Sequence, residues 1–351
     1  MAALERVSGL EPRSRTCAGY LTKADNLPGE DGVTEPDVRL MLTVAYDGTD
    51  FHGFAAQPGQ RTVAGVLARA IEVVTGSRAL IVCAGRTDAG VHAWGQVVHV
   101  DVPGRVSDPP LLANACNKML APEVVVRSAV EAPTGFHARR SASSRLYKYL
   151  LYQDAFPSPF MARRAWHVQS RLDLAAMEQA TYSLLGEHDF TSFCRRPKPK
   201  RALNRTGDRA EVSLAEVSLV RRVIEARWRR LIPAVPNPSE APTAPEAPTA
   251  PEAPTAPEAF LHGAFHDVSM LCFDIEASSF CHQMVRSVVS TLVEVGAGRK
   301  TAQDVVRFLE ARDRSGTPPP APPYGLYLWR VSYRSDPSAR GGDPRGAASP
   351  R

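Results

Sequence analysis

VRLMLTVAYDG, residues 38–48, reads as an apolar strand closed by an Asp-Gly turn. Downstream of it, Val63, Val66, Leu67, Ala70, Ile71 and Val74 recur at helical spacing over 62–76, and Gly76 suits the C-cap. Strands are expected at 79–83 and 95–102, then a helix over 108–120 with Pro109 near its start, then a strand in EVVVRSAV, 123–130. This β-α-β-β-α-β order is that of a split-βαβ, ferredoxin-like unit. A long strand at 142–153 leads into a second half, with a helix at 173–185 and strands near 211–230 and 268–277. Helices at 280–296 and 301–311 follow, and GLYLWRVSY, 325–333, is the last strand. The expected fold is α+β: two related ferredoxin-like halves, 38–141 and 142–333, with mainly antiparallel sheets joined around a central cleft.

Residues 1–37 and 334–351 show no periodicity and are expected to be disordered tails. Within a Pro-rich insert at 236–259, APTAPE occurs three times between 241 and 258. With no bulky apolar residue and Pro at every third position, it reads as an extended, unpacked linker. Lengthening a surface loop this way costs little stability.

The 351 residues allow an ample core, and 44% of them are hydrophobic, as in ordinary globular proteins. Every long apolar run is cut by Arg, Glu, Asp or Gly, which excludes a membrane span. Cys17, Cys83, Cys116, Cys194, Cys272 and Cys281 are scattered with no C-x-x-C pair, arguing against a disulfide framework and a zinc ribbon. The N-terminus holds Glu5, Arg6 and Glu11 and no apolar signal core, and the first 37 residues carry seven acids against four bases, unlike a transit peptide. The expected location is the reducing cytoplasm.

The net charge of +5 hides a sharper division. Residues 195–230 hold twelve Lys or Arg against four acids, beginning Arg195-Arg196-Pro-Lys198-Pro-Lys200-Arg201. A second basic cluster, Arg139, Arg140, Arg145 and Lys148, is interleaved with Tyr147 and Tyr149. Bases beside aromatics are the electrostatic footprint of a nucleic-acid binder, although charge alone equally suits a solvated face.

The densest chemical signal is CAGRTDAGVHA, 83–93. Gly85 and Gly90 bracket Arg86, Thr87 and Asp88, giving a tight loop around one carboxylate and one guanidinium. It lacks the G-K-[ST] of a phosphate loop and any metal spacing. In isolation, a lone Asp in a turn is most simply a turn cap.

Its neighbours change that reading. The chain resembles the tRNA pseudouridine synthase A (TruA) family through nearly all of 38–333. The resemblance rests on TVAYDGTDFHGFAAQ (43–57), RTVAGVLARAI (61–71), GRTDAGVHAWGQV (85–97), FHARRSASSRLYKY (136–149), LLGEHDFTSF (184–193), SSFCHQMVRSVV (278–289) and YGLYL (324–328). It implies a cofactor-free, metal-free isomerase that detaches uracil from C1′, rotates it and rejoins it through C5. The implied substrate is uridine at positions 38, 39 and 40 of the tRNA anticodon stem-loop, and the implied assembly is a homodimer.

By the same resemblance Asp88 is the catalytic aspartate, whose carboxylate can act as a nucleophile at C6 of the ring or C1′ of the sugar or can stabilise cationic character on the sugar. Arg286 would hold it ionised by pairing. Arg86 would enter the RNA helix as the target base flips out, an event that costs a few kcal/mol of unstacking. Tyr147 would stack on the uracil, a contact worth about 1–3 kcal/mol per base. Leu326 would wall the uracil pocket, while Tyr149 reads as core.

The chain departs from the family pattern at Ala55-Ala56, at Ala64 and at Arg140, none of which touches those positions. One alternative is a catalytically silent tRNA-binding or RNA-folding protein on the same scaffold; a second is a hydrolase pairing Asp88 with His92. His262 and His266 have i, i+4 spacing but follow the Pro-rich insert, with Gly263 between them, and read as loop.

Overall fold

The computed structural model describes residues 37–104, 108–196, 201–203, 209–211, 218–231 and 269–334. The expected tails (except Asp37 and Arg334), the Pro-rich insert, and His262 and His266 lie outside the described residues.

The first six elements are β1 (Val38–Tyr46), α1 (Val63–Thr75), β2 (Val82–Cys83), β3 (His92–Val102), α2 (Pro109–Leu120) and β4 (Val124–Glu131). Then come β5 (Ala142–Gln153), β6 (Trp166–Val168), α3 (Leu174–Tyr182), β7 (Gly186–Asp189), β8 (Arg201–Leu203), β9 (Arg209–Glu211) and β10 (Val220–Arg230). The series ends with β11 (Ser269–Ala277), α4 (Met284–Gly296), α5 (Ala302–Ala311) and β12 (Leu326–Tyr333).

Local chemistry sets the helix ends. Thr62 caps α1 by accepting from the Gly65 amide, and Gly76 closes it at φ 68°, a left-handed conformation that suits glycine. Asp108 and Asp173 cap α2 and α3 in the same way, and Thr301 and Asp304 form a reciprocal capping box on α5. The expected helix at 280–296 begins only at Met284, because Gln283 sits at φ 65° and breaks the turn before it. Residues 278–283 are therefore an irregular segment.

The strands form one mostly antiparallel sheet in the order β4-β1-β3-β12-β5-β11-β10-β7, with β2 added on β3 and β6 on β5; β8 and β9 pair separately. The outer edge of β3 is shared. Val98 and His99 pair with β2, whereas His92 and Ala93 pair in parallel with β12. The strand expected at 79–83 is correspondingly cut to two residues: the chain leaves the edge after Cys83, and β12 takes the vacated place.

Among the described residues the five helices share one core with the sheet face bearing Leu40, Leu42, Val44, Tyr147, Tyr149 and Leu151. Within it α1 packs on α2, and α3 on α4 and α5. On the other face Leu150, Tyr152, Met270 and Cys272 pack with Met161 and Ala165 in a smaller cluster.

Two of the cysteines disagree with the expectation of unpaired thiols. Cys194 and Cys281, 87 residues apart in sequence, are bridged with their Cα atoms 5.8 Å apart. The pair meets only because the turn after Thr191–Phe193 lies against the segment before α4, where the Arg195 amide donates to the His282 carbonyl at 2.9 Å.

The β3–β12 contact tolerates no side chain at Gly95, where a Cβ would stand 2.4 Å from the Trp329 carbonyl oxygen. Gly95→Ala should therefore destabilise the protein by about 1–3 kcal/mol through overpacking. Urea unfolding with an unchanged m-value and a lowered midpoint is the expected result.

Candidate active site

The 84–91 loop is held from several sides. Gln96, fully buried on β3, donates from Nε2 to the Gly85 carbonyl at 2.6 Å and accepts from the Gly85 amide at 3.4 Å. Tyr46 Oη and Thr87 Oγ1 are 2.8 Å apart, and the Phe54 amide donates to the Thr87 carbonyl at 3.1 Å. Gly53, at φ 86°, lets the chain pass so close that a Cβ there would lie 2.9 Å from the same carbonyl.

Arg145 secures the approach to the loop. Its buried guanidinium donates to the carbonyls of Ala84 (3.0 Å), Arg139 (2.8 Å), Ser278 (2.8 Å) and Ala142 (3.3 Å). It thereby links the end of β2, the turn before β5 and the end of β11. Burial depresses its proton affinity below the ordinary arginine value.

The loop delivers Asp88 against α4. Arg286 Nη1 lies 3.2 Å from Asp88 Oδ2, and His282 Nε2 lies 3.3 Å from Oδ1. Arg286 is itself positioned by its Nε–H donating to the Ala321 carbonyl at 2.7 Å, while the Ala321 amide donates back to the Arg286 carbonyl at 3.0 Å. Side-chain exposure rises from 14% at Arg286 through 27% at Asp88 to 47% at His282, so the carboxylate is backed by a sheltered cation and opens toward solvent past the imidazole.

Tyr147 is buried, with its ring edge-on to Phe280 at a centroid distance of 5.0 Å. Its hydroxyl lies 3.7 Å from the point where a Gly85 side chain would begin, so the glycine leaves that space open. Burial, reinforced by Tyr46 and the Asp88 carboxylate, raises the Tyr147 phenol far above the usual tyrosine range, and it stays protonated.

Of the residues singled out from sequence, Asp88 and Arg286 meet directly. Tyr147 joins them through Phe280, two residues from His282. Arg86 is exposed on the same loop and has no ion-pair partner among the described residues. Leu326 is buried in the main core, opposite Tyr149 in the β12–β5 ladder. Tyr149 is fully buried and donates to the Pro322 carbonyl at 2.9 Å, as a core residue.

His92 is not a partner of Asp88. Its ring is buried and stacked on Tyr327, with Nε2 facing the carbonyls of Arg163 (3.1 Å) and Tyr324 (3.0 Å) and Nδ1 accepting from the Gly48 amide at 3.1 Å. The second basic cluster also divides: Arg139 and Arg140 are exposed, whereas Arg145 and Lys148 are buried on opposite faces of β5, Lys148 lying 3.5 Å from Asp274.

His282 and Gln96 go unassigned in the sequence, although each lies inside a quoted segment, and Arg145 reads there only as part of a basic cluster. Among the described residues no group of three His, Cys, Asp or Glu could hold a metal ion.

Comparison with known proteins gives the family. A family model described as tRNA pseudouridine synthase matches residues 42–139 and 180–334. The protein called tRNA pseudouridine synthase A from Bacillus subtilis is 34% identical over 299 residues, 84% of this chain and 99% of the relative. Its namesake from Caulobacter vibrioides is 37% identical over 302 residues, covering 84% and 98%, and that from Pseudothermotoga lettingae 33% over 295, covering 84% and 99%.

The Gln96 clamp makes a local prediction. Gln96→Ala should cost about 1–3 kcal/mol by leaving buried backbone groups unpaired. Hydrogen exchange should accelerate at residues 84–90 while the β1 and β4 amides keep their protection.

Proposed function

The chain belongs to the tRNA pseudouridine synthase family, and we propose that it isomerises uridine to pseudouridine at positions 38, 39 and 40 of the tRNA anticodon stem-loop, with Asp88 as the nucleophile. The observation that carries this reading is the Asp88 carboxylate held between Arg286 and His282 at the end of a loop fixed on its other sides.

Arg286 compensates the charge of the carboxylate, which attacks at C6 or C1′. The glycosidic bond breaks, uracil turns and bonds to C1′ through C5, and the C5 proton departs as the carboxylate is released. Tyr147 stacks on the base while it is detached, Leu326 bounds the apolar side of the pocket, and Phe280 braces the Tyr147 ring. Arg86, exposed and without an ion-pair partner among the described residues, is free to enter the RNA stem and fill the gap left by the flipped base.

Exposed Arg139, Arg140, Arg195 and Arg196 would track phosphates; residues 197–200 of that basic run lie outside the described residues. The β10 end of it is partly engaged within the protein, Arg227 and Arg229 both reaching Asp274.

We read the scaffold as two related ferredoxin-like halves meeting near residue 141. In support, β4-β1-β3-β2 and β12-β5-β11-β10 repeat one spatial order relative to sequence. The assembly we propose, on the strength of the family resemblance, is a cytoplasmic homodimer. Among the described residues no helix is long and apolar enough to cross a membrane.

The test is tritium release from tRNA labelled at uridine C5. Native protein should release label, and Asp88→Ala should fall to the no-enzyme background while still binding tRNA. A folded native protein that binds tRNA and releases nothing would instead establish the silent RNA binder. Binding should also weaken steeply between low and physiological salt, and a flat response would remove the electrostatic part of the reading.

A further inference from the structure

Beside the Asp88–Arg286 pair lies a cavity of about 630 Å³ lined by Arg195, Arg196, Arg312 and Arg314, with Gln283 in its wall. Among the described residues Asp313 is the one acid in the lining; its carboxylate accepts from the Ser315 amide at 3.1 Å and the Ser315 hydroxyl and also feels the charge of Arg196. Arg312 reaches Asp189 at 3.4 Å. Arg195 and Arg196 are exposed and have no ion-pair partner among the described residues.

Arg314 is the distinctive member. Its Nη2 donates to Gln283 Oε1 at 2.9 Å, whereas its Nη1 is buried and has no hydrogen-bond partner among the described residues. A buried guanidinium nitrogen without an acceptor is costly, and the neighbouring charges of Arg195 and Arg286 add to the cost. Burial, together with Arg195 and Arg286, lowers the proton affinity of Arg314.

An anion with several oxygens relieves both problems at once. Guanidinium forks match phosphate oxygens in pairs, and the cavity has room for more than a bare ion. Its position narrows the choice. Gln283 in the cavity wall follows His282, whose imidazole lies 3.3 Å from Asp88, and the Arg195 amide donates to the His282 carbonyl at 2.9 Å, so the lining adjoins the residues that hold the carboxylate.

We propose that this cavity binds a backbone phosphodiester of the RNA next to the uridine whose base reaches Asp88, with Arg314 Nη1 as its innermost donor and Arg195 closing over it. The assignment rests on the synthase reading of the Asp88 site. It gives the flipped nucleotide a fixed end, so that the sugar is positioned against the carboxylate while the base is detached.

The test uses the full chain and synthetic anticodon stem-loop RNAs in which one phosphate at a time, flanking the target uridine, is replaced by a neutral methylphosphonate. Binding is followed by fluorescence anisotropy and turnover by tritium release. For the native protein one linkage should stand out, with an affinity loss of about 10-fold. Arg314→Gln should show a similar loss on unmodified RNA, mainly in KM, no further loss at that linkage, and a salt slope reduced by about one.

Should Arg314→Gln fail to fold, Arg195→Gln, a surface change, should show the same loss of linkage sensitivity. Equal sensitivity of native and variant proteins at every linkage would overturn the assignment. So would tight binding of inorganic phosphate alone with no linkage effect, which would mark a site for a free anion. A clear linkage effect without tritium release would keep the phosphate site and overturn the synthase reading instead.

Discussion

The edge of β3 that faces away from β1 is divided between two neighbours, β2 at Val98 and His99 and β12 at His92 and Ala93. Backbone groups on a strand edge must be paired or solvated, so β12 can dock only where β2 has already left. The chain that leaves at Cys83 becomes the loop carrying Asp88. The strand that takes its place is introduced by Pro323–Gly325, whose first residue packs on Gly90 of that same loop. Placement of the carboxylate and joining of the sheet are thus one geometric event. At Gly95 the two backbones lie too close to admit a side chain.

Two arginines near the site illustrate two ways of accommodating a sheltered cation. Arg286 meets a carboxylate, and each reduces the cost of placing the other away from water. Arg145 receives four carbonyl oxygens instead, so its formal charge remains within the protein while its hydrogen-bonding capacity is met. The first arrangement leaves a carboxylate accessible for chemistry, and the second fixes the backbone that presents it. Lysine could replace neither, since an ammonium offers no planar fork to span such partners.

Much of this was readable from residues. The periodicity of α1, its Gly76 boundary and the long strand β5 follow directly from local chemistry, and the loop motif drew attention to Asp88. The failures have physical causes. Phe280, Cys281 and His282 continue the apolar pattern of α4 backwards, and nothing in the composition shows that Gln283 turns left-handed and releases them into the site. β6 and β7 are too short to show a period. Arg145 and Lys148 look like surface charge in sequence, because the partners that draw them inward, carbonyls and Asp274, come from distant segments. The Cys194–Cys281 bridge joins segments 87 residues apart and has no spacing signature.

The last strand of the fold, β12, lies in the interior of the sheet, between β3 from the beginning of the chain and β5 from its middle. A ribosome delivers segments in order, so the sheet cannot close until its final strand has emerged. Until then β3 and β5 both offer an open edge, and Asp88 lacks the scaffold that seats it against Arg286. A chain that stops short of β12 consequently lacks the seating of Asp88 against Arg286 and is prone to edge-to-edge association. The architecture thereby couples assembly of the Asp88 site to the emergence of β12.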